Sequence, residues 1–201
     1  MVQLRFAVVF VVLLAGCSSV TTIPPELSLS EKDQLWQQNR ARLETIESWA
    51  LTGRLGLTVP DRSGSMSIEW LQDEQHYSIF LDGPFGQSLA QIKGSRLGVS
   101  ARVSDEEEVF GATPEYLMRR LTGWDLPVSS LKYWVRGVPA PKGKPEVILN
   151  NQGYPKQIIQ QGWQIDYLNY RDEGITQMPV RLKAANGDIR MTLVVRFWQL
   201  K

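Results

Sequence analysis

The sequence predicts one mainly β domain with helices, of the α+β class, built on an antiparallel sheet. Three observations carry this. From Trp49 onward, apolar residues alternate with a period of two over short segments parted by turn residues. Two stretches, one near the N-terminus and one mid-chain, switch to helical spacing. The resulting order of helix, meander, two helices and meander lets a sheet curl around the helices inserted mid-chain.

The first residues have a different purpose. Arg5 is followed by the apolar run Phe6 to Leu14, then Ala15-Gly16 and Cys17, the only cysteine of the 201 residues. A charged start, a short apolar core and small residues at its end describe a secretory signal, too short to span a bilayer. Leu14-Ala15-Gly16-Cys17 resembles the lipobox of bacterial lipoproteins, in which the cysteine is diacylated and becomes the mature N-terminus. The bland alternative is an ordinary signal with an incidental cysteine. On the lipobox reading, residues 1–16 are the signal peptide and 17–29 the lipidated N-terminus and flexible tether. The rest, 30–201, is one domain. Two or more acyl chains make such an anchor stable. Ser18 is not the aspartate that tends to retain lipoproteins in the inner membrane, so the expected location is the periplasmic face of the outer membrane.

The helix after the tether is predicted from an N-cap at Ser30 to about Ser48, with Asp33 in its first turn and an apolar stripe of Leu35, Trp36, Leu43 and Ile46. In the first meander, Trp49, Leu51, Leu55, Leu57 and Val59 share one strand face. Asp61 to Gly64 is read as a turn, then Met66, Ile68 and Trp70 alternate. Tyr77, Ile79 and Leu81 follow, and after the break Asp82-Gly83-Pro84-Phe85-Gly86 come Ala90-Ile92 and Leu97 to Val103. Mid-chain, Thr113-Pro114-Glu115 offers a cap, a proline at the first helical position and an acid in the first turn. Gly123 stands where a helix-ending glycine belongs. Leu131, Trp134, Val135 and Val138 mark a second helix after Pro127. Strands return at Ile158 to Gln161, Trp163 to Tyr167, Val180 to Ala184 and Ile189 to Phe197, with Asn186-Gly187 as a type I′ hairpin signal.

Composition excludes several functions. Removing residues 1–16 takes away one cation, Arg5, and leaves 21 Lys+Arg against 21 Asp+Glu. Nucleic acid is therefore not an expected partner. With Cys17 modified there is no thiol for a disulfide or metal site. His76, the one histidine, has no nucleophile elbow or orienting acid near it in sequence, so neither catalysis nor metal binding is expected. Asp105 to Glu108 reads as a solvated strand edge, and no phosphate-binding loop is present.

Bulky apolar material remains. Seven tryptophans are present, four of them (Trp49, Trp70, Trp134 and Trp163) on the apolar faces. They suit either an ordinary core or a wall for an alkyl chain, and sequence alone does not separate the two. Phe85, at a turn that favours polar residues, either folds back under its loop or reaches lipid or a partner.

The run Leu121-Thr122-Gly123-Trp124-Asp125-Leu126-Pro127, followed by Leu131, Trp134, Gly137 and Pro139, resembles the LolB family of outer-membrane lipoprotein receptors. Met178-Pro179, Trp198 and the turn Asp82, Pro84, Phe85, Gly86 fit as well, though leucine is commoner than Phe85 at the tip. The resemblance spans nearly the whole mature chain. It implies an incomplete antiparallel β-barrel with helices forming a lid over an apolar cavity. It further implies a non-enzymatic, monomeric receptor that takes lipoproteins from a LolA-like periplasmic carrier and delivers them to outer-membrane phospholipid. On this view Trp49, Met66, Ile68, Trp70, Leu121, Trp134 and Trp163 line or close a cavity for the acyl chains. Pro84, Phe85 and Gly86 form the membrane-insertion loop. Cofactors are absent, save the covalent diacylglyceryl and N-acyl lipid on Cys17. Two other expectations stay open: an envelope lipoprotein for a different lipophile, and a structural one with a solid core.

Overall fold

The computed structural model describes residues 27–104 and 106–201. The signal peptide, Cys17, most of the tether and Asp105 lie outside the described residues. Helix α1 spans Leu29–Glu44, followed by strands β1 (Ser48–Val59), β2 (Arg62–Asp73), β3 (His76–Asp82), β4 (Ser88–Ser95), β5 (Gly98–Val103) and β6 (Val109–Gly111). Helices α2 (Pro114–Thr122) and α3 (Val128–Trp134) come next. The chain then forms β7 (Glu146–Leu149), β8 (Pro155–Gln160), β9 (Trp163–Asp172), β10 (Gln177–Asn186) and β11 (Ile189–Leu200).

All eleven strands form one antiparallel sheet in the order β6-β5-β4-β3-β2-β1-β11-β10-β9-β8-β7. The chain starts in the middle, meanders to one edge, crosses through α2 and α3 to the other edge, and meanders back. The pairing of β1 with β11 joins the two meanders. The sheet remains open, with β6 and β7 as its edges, so it is the incomplete barrel that the resemblance implied.

Several boundaries differ from the sequence expectation. Helix α1 begins one residue before Ser30, because Ser28 and Glu31 form a reciprocal capping box at 2.9 and 3.3 Å. It ends at Glu44, since Ser48 already pairs with Asp73 in the sheet. The first turn is Pro60-Asp61, not Asp61 to Gly64: proline lacks the amide that a ladder requires, and Val59 pairs directly with Arg62. Leu97 belongs to a turn and not to a strand. The last hairpin turns on Gly187-Asp188, with Asn186 paired to Ile189 and Gly187 at φ 55°. The short edge strands β6 and β7 were not anticipated.

Alternation places one continuous apolar row on the inner face: Leu51, Trp70, Ile79, Ile92 and Ala101 are successive cross-strand partners, all buried. The β8–β11 half of that face is solid. Trp134, fully buried, lies 6.3 Å from Trp163, and its indole N–H donates to Gln160 at 2.9 Å. Gln160 in turn pins the proline-rich loop through Ala140, Lys142 and Gly143. Tyr167 donates to the Trp134 carbonyl at 2.7 Å and stacks near Tyr170. Trp49 joins the halves, packed 5.2 Å from Trp70 and 5.4 Å from Trp198.

Helix α1 is docked at two points. Asn39 donates to the carbonyls of Gln152 and Gly153, both at 3.0 Å. The buried Arg136 guanidinium donates to the carbonyls of Leu43 and Ile46, at the helix C-terminus where a cation is favoured. Burial lowers the Arg136 pKa, against the influence of Tyr133, Glu44 and Glu47. Gly153 has φ +70°, and a Cβ there would lie 2.3 Å from Leu35 Cβ. Gly153→Ala should therefore destabilise the protein by about 1–3 kcal/mol, measured by urea unfolding. An unchanged midpoint would show that α1 is not seated against this turn.

Candidate functional site

The inner row toward the loop end of β1 to β5 differs from the row below it. Gly53, Ile68, Leu81, Ala90 and Val103 are its cross-strand partners, with Leu55 opposite Met66 and Leu57 opposite Gly64 beyond. Leu55, Leu57, Met66, Leu81, Ala90 and Val103 are only half-buried, although they sit on the apolar side of the sheet. All but Leu55 line a cavity of about 320 Å³, at the lower end of small-ligand sites. Its opposite wall is α2 and the loop after it, through Met118, Leu121, Thr122, Trp124 and Leu126.

Local sequence sets that wall. Thr113 caps α2 by accepting from the Tyr116 amide, and Gly123 ends it in the left-handed conformation, φ 78°. Leu117 fills the space over Gly111, where a Cβ would lie 2.8 Å from its side chain. Glu115 accepts from the Ser129 amide at 2.7 Å, which ties α2 to α3. Arg62 closes the mouth by placing its guanidinium 4.5 Å from the centre of the Trp124 ring. A cation–π contact of this kind at an exposed site is worth about 0.5–1 kcal/mol, so the closure is weak.

The mouth lies at the end of the sheet that carries the β1–β2 and β3–β4 loops, because β1 and β3 run the same way. The second of these loops holds Phe85, which is 95% exposed. The Gly86 amide donates to Gly83 at 3.0 Å and the Phe85 amide to the Gln87 side chain at 3.1 Å. The turn is thus held by its own backbone and Gln87, and the ring projects into solvent. It does not fold back under the loop.

Of the seven residues assigned to the cavity from sequence, Met66 and Leu121 are on its wall. Ile68 lies buried below it, Trp49 and Trp70 form the tryptophan cluster with Trp198, and Trp134 and Trp163 fill the far half. Leu57, Leu81, Leu89, Val103, Met118, Trp124 and Arg62 are wall residues that the sequence reading did not single out. Leu57, Leu81 and Val103 carried the signal, since they fall on the alternating apolar faces.

A second, more polar pocket of about 160 Å³ lies at the opposite end of the same half-sheet, between Trp70, Tyr77, Val99, Pro114 and Val128. The Tyr77 ring lies over Gly94, where a Cβ would meet it at 2.2 Å. Burial, aided by the Glu115 carboxylate, pushes its phenol up to about 12. His76 is exposed at the start of β3, and among the described residues no three His, Cys, Asp or Glu side chains converge so as to hold a metal ion.

An open antiparallel sheet here shelters an apolar cavity beneath short helices, a space suited to a lipophilic group. The same fold occurs in a LolA-superfamily protein from Nitrosomonas europaea, at TM-score 0.51 and 9% identity, covering 83% of this chain and 93% of that one. It also occurs in a DUF1329-family protein from Desulfovibrio piger, at TM-score 0.57 and 4% identity, covering 86% and 92%. The model of the family described as outer membrane lipoprotein LolB matches residues 47–198, and the chain belongs to that family. It is 40% identical to the outer-membrane lipoprotein LolB of Chromohalobacter salexigens over 96% of this chain and 88% of that protein. With its counterpart from Pseudomonas putida the identity is 36%, over 98% and 96%. The chain is accordingly an outer-membrane lipoprotein, a receptor in lipoprotein localisation and not an enzyme.

Filling the cavity tests its assignment. Met66→Trp should weaken uptake of an apolar fluorescent probe about tenfold, equivalent to ~1.4 kcal/mol, without lowering the thermal midpoint by more than a few degrees. Uptake unchanged by the added indole would place the probe elsewhere. Alkali tests the buried phenols, since burial also raises Tyr167 and Tyr170 well above the usual tyrosine value. Above about pH 10 the unfolded chain releases phenol protons that the folded chain keeps, so stability falls as pH rises. The unfolding midpoint should drop between pH 10 and about 12, with a shallower slope in Tyr170→Phe. A flat profile would contradict the burial.

Proposed function

We propose that the cavity between the first meander and α2 receives the acyl chains of a lipoprotein from a LolA-like periplasmic carrier, and that Phe85 then touches the membrane while the chains are released. The observation that supports this most is the half-buried apolar wall opening at the end of the sheet that carries Phe85. Each methylene moved out of water contributes about 0.8 kcal/mol, so a lipidated N-terminus cannot cross the periplasm unescorted. An apolar wall without fixed hydrogen-bond partners gives area and leaves chain length and identity unread.

A triacyl group exceeds a cavity of about 320 Å³. Loading therefore moves α2 and Trp124 away from the sheet, and the weak Arg62 contact is the one that gives way. The protein itself is held by diacylglyceryl and N-acyl chains on Cys17, with the residues from Cys17 up to the Ser28 cap of α1 as its tether and the folded domain acting as a monomer. No nucleotide or redox step is needed if affinity rises from carrier to receptor to bilayer.

Transfer tests the proposal. A soluble version without Cys17 is mixed with carrier loaded with labelled lipoprotein, then with vesicles. The label should move to this chain and onward to lipid. In Phe85→Glu, uptake should persist while release slows about tenfold, in keeping with the ~1.5–3 kcal/mol that burying a phenylalanine contributes. No movement of label from competent carrier to folded protein would leave a lipoprotein that binds another lipophile.

A further inference from the structure

The convex face of the sheet opposite the cavity is not neutral. On β1, β11 and β10, the three strands that join the two meanders, Arg54, Val194 and Arg181 are cross-strand partners in one row. The next row carries Gly56, Thr192 and Lys183, and the one after it Thr58, Arg190 and Ala185. Arg196 lies at the β1–β11 irregularity beside Phe197. All five cations are exposed. Neighbouring strands lie about 4.8 Å apart and alternate residues of a strand under 7 Å, so four of these charges occupy a patch of about 10 by 14 Å, each within about one Debye length of another.

Among the described residues none of the five is in an ion pair, and Lys183 alone faces a carboxylate across the ladder. The ion pairs among the described residues are Arg40–Glu44, Arg102–Glu108, Arg119–Asp125 and Arg171–Glu173, all elsewhere. The nearest carboxylates lie on flanking strands. Asp166, opposite Lys183 on β9, accepts from Gln157 and Gln164, and Glu69 faces Thr52 from β2. Asp188 and Asp61 stand at the end turns. Two hydrophobic side chains are interleaved with the cations: Val194, 39% exposed, and Phe197, 71% exposed.

We infer that this face docks on the anionic phospholipid headgroups of the bilayer in which the protein is anchored. Cations with exposed apolar side chains among them suit a membrane interface, where long stems and rings enter the headgroup layer while charges meet phosphate. The patch runs down β11 to Arg190, at the end of the sheet that Phe85 also occupies, three strands away. Docking there lays the outer face on the bilayer and brings the Phe85 end of the sheet close to the headgroups. The inference rests on the outer-membrane location and is independent of what the cavity holds.

The test uses the full lipidated chain in vesicles, with a fluorophore on Thr58→Cys and a quencher on lipid headgroups. Vesicles of phosphatidylethanolamine and phosphatidylcholine are compared with vesicles that also contain phosphatidylglycerol. Quenching should be strong only with the anionic lipid and be lost in high salt. Neutralising Arg54, Arg181, Lys183 and Arg190 together to Gln should reduce the docked-to-undocked ratio about a thousandfold. Cargo uptake from carrier, read in the same samples, should be unchanged by the four substitutions, which separates this result from failure of the cavity reading. Quenching that is equal in both vesicles, or insensitive to the substitutions, would overturn the inference. So would intact quenching with slowed uptake, which would give the patch to an acidic protein surface.

Discussion

An eleven-stranded sheet has one apolar face, and the two short helices of its crossover are too little to cover it. Everything distinctive in the molecule follows from that shortfall. The β8–β11 half is filled by its own large side chains, with Trp134 and Trp163 packed against each other and Tyr167 bonded to the Trp134 backbone. The β1–β5 half is filled only across its middle, where Leu117, Trp70 and the row from Leu51 to Ala101 meet, between the larger cavity and the smaller polar pocket. Toward the Phe85 end the sheet carries Leu57, Met66, Leu81 and Val103 with empty space in front of them. A solid half fixes the geometry of a hollow half.

That division explains how a rigid domain can hold and surrender a flexible ligand. The tryptophan cluster around Trp49 and the Gln160 hub hold the sheet's curvature without ligand. The wall that moves in the proposed loading is a nine-residue helix bounded by a Thr cap and a left-handed glycine, joined to the sheet's mouth through Arg62 and Trp124. Strong contacts keep the frame, and a weak one keeps the door.

Much of this was legible in the sequence, for identifiable reasons. Alternation fixed the inner faces of β1 to β3 and of β9 to β11, because one buried face imposes a strict period of two. The Thr113-Pro114 start and the Gly123 stop of α2 are local chemistry and needed no tertiary information. The sequence reading placed the α1 cap at Ser30; Ser28 also precedes an acid by three residues, and only the structure shows which pair closes. Strands β6 and β7 were illegible at three and four residues, too short to display alternation. The cavity list was partly legible for a deeper reason. Alternation tells that Met66 and Trp70 face inward together, but where α2 ends along that face decides that one lines space and the other is packed. Phe85 was different: a phenylalanine in a Pro/Gly turn is anomalous by itself, and its exposure follows from a turn closed by backbone bonds and Gln87.

The central claim is that the hollow half, and not the tryptophan-rich core, is where acyl chains reside. A lipoprotein carrying a photoreactive group within an acyl chain, delivered by the carrier and irradiated on this protein, tests it most directly. Mass spectrometry should find adducts at the cavity wall, on Met66, Leu81, Met118 or Leu121. Adducts concentrated around Trp134 and Trp163, or on the outer face of the sheet, would contradict it.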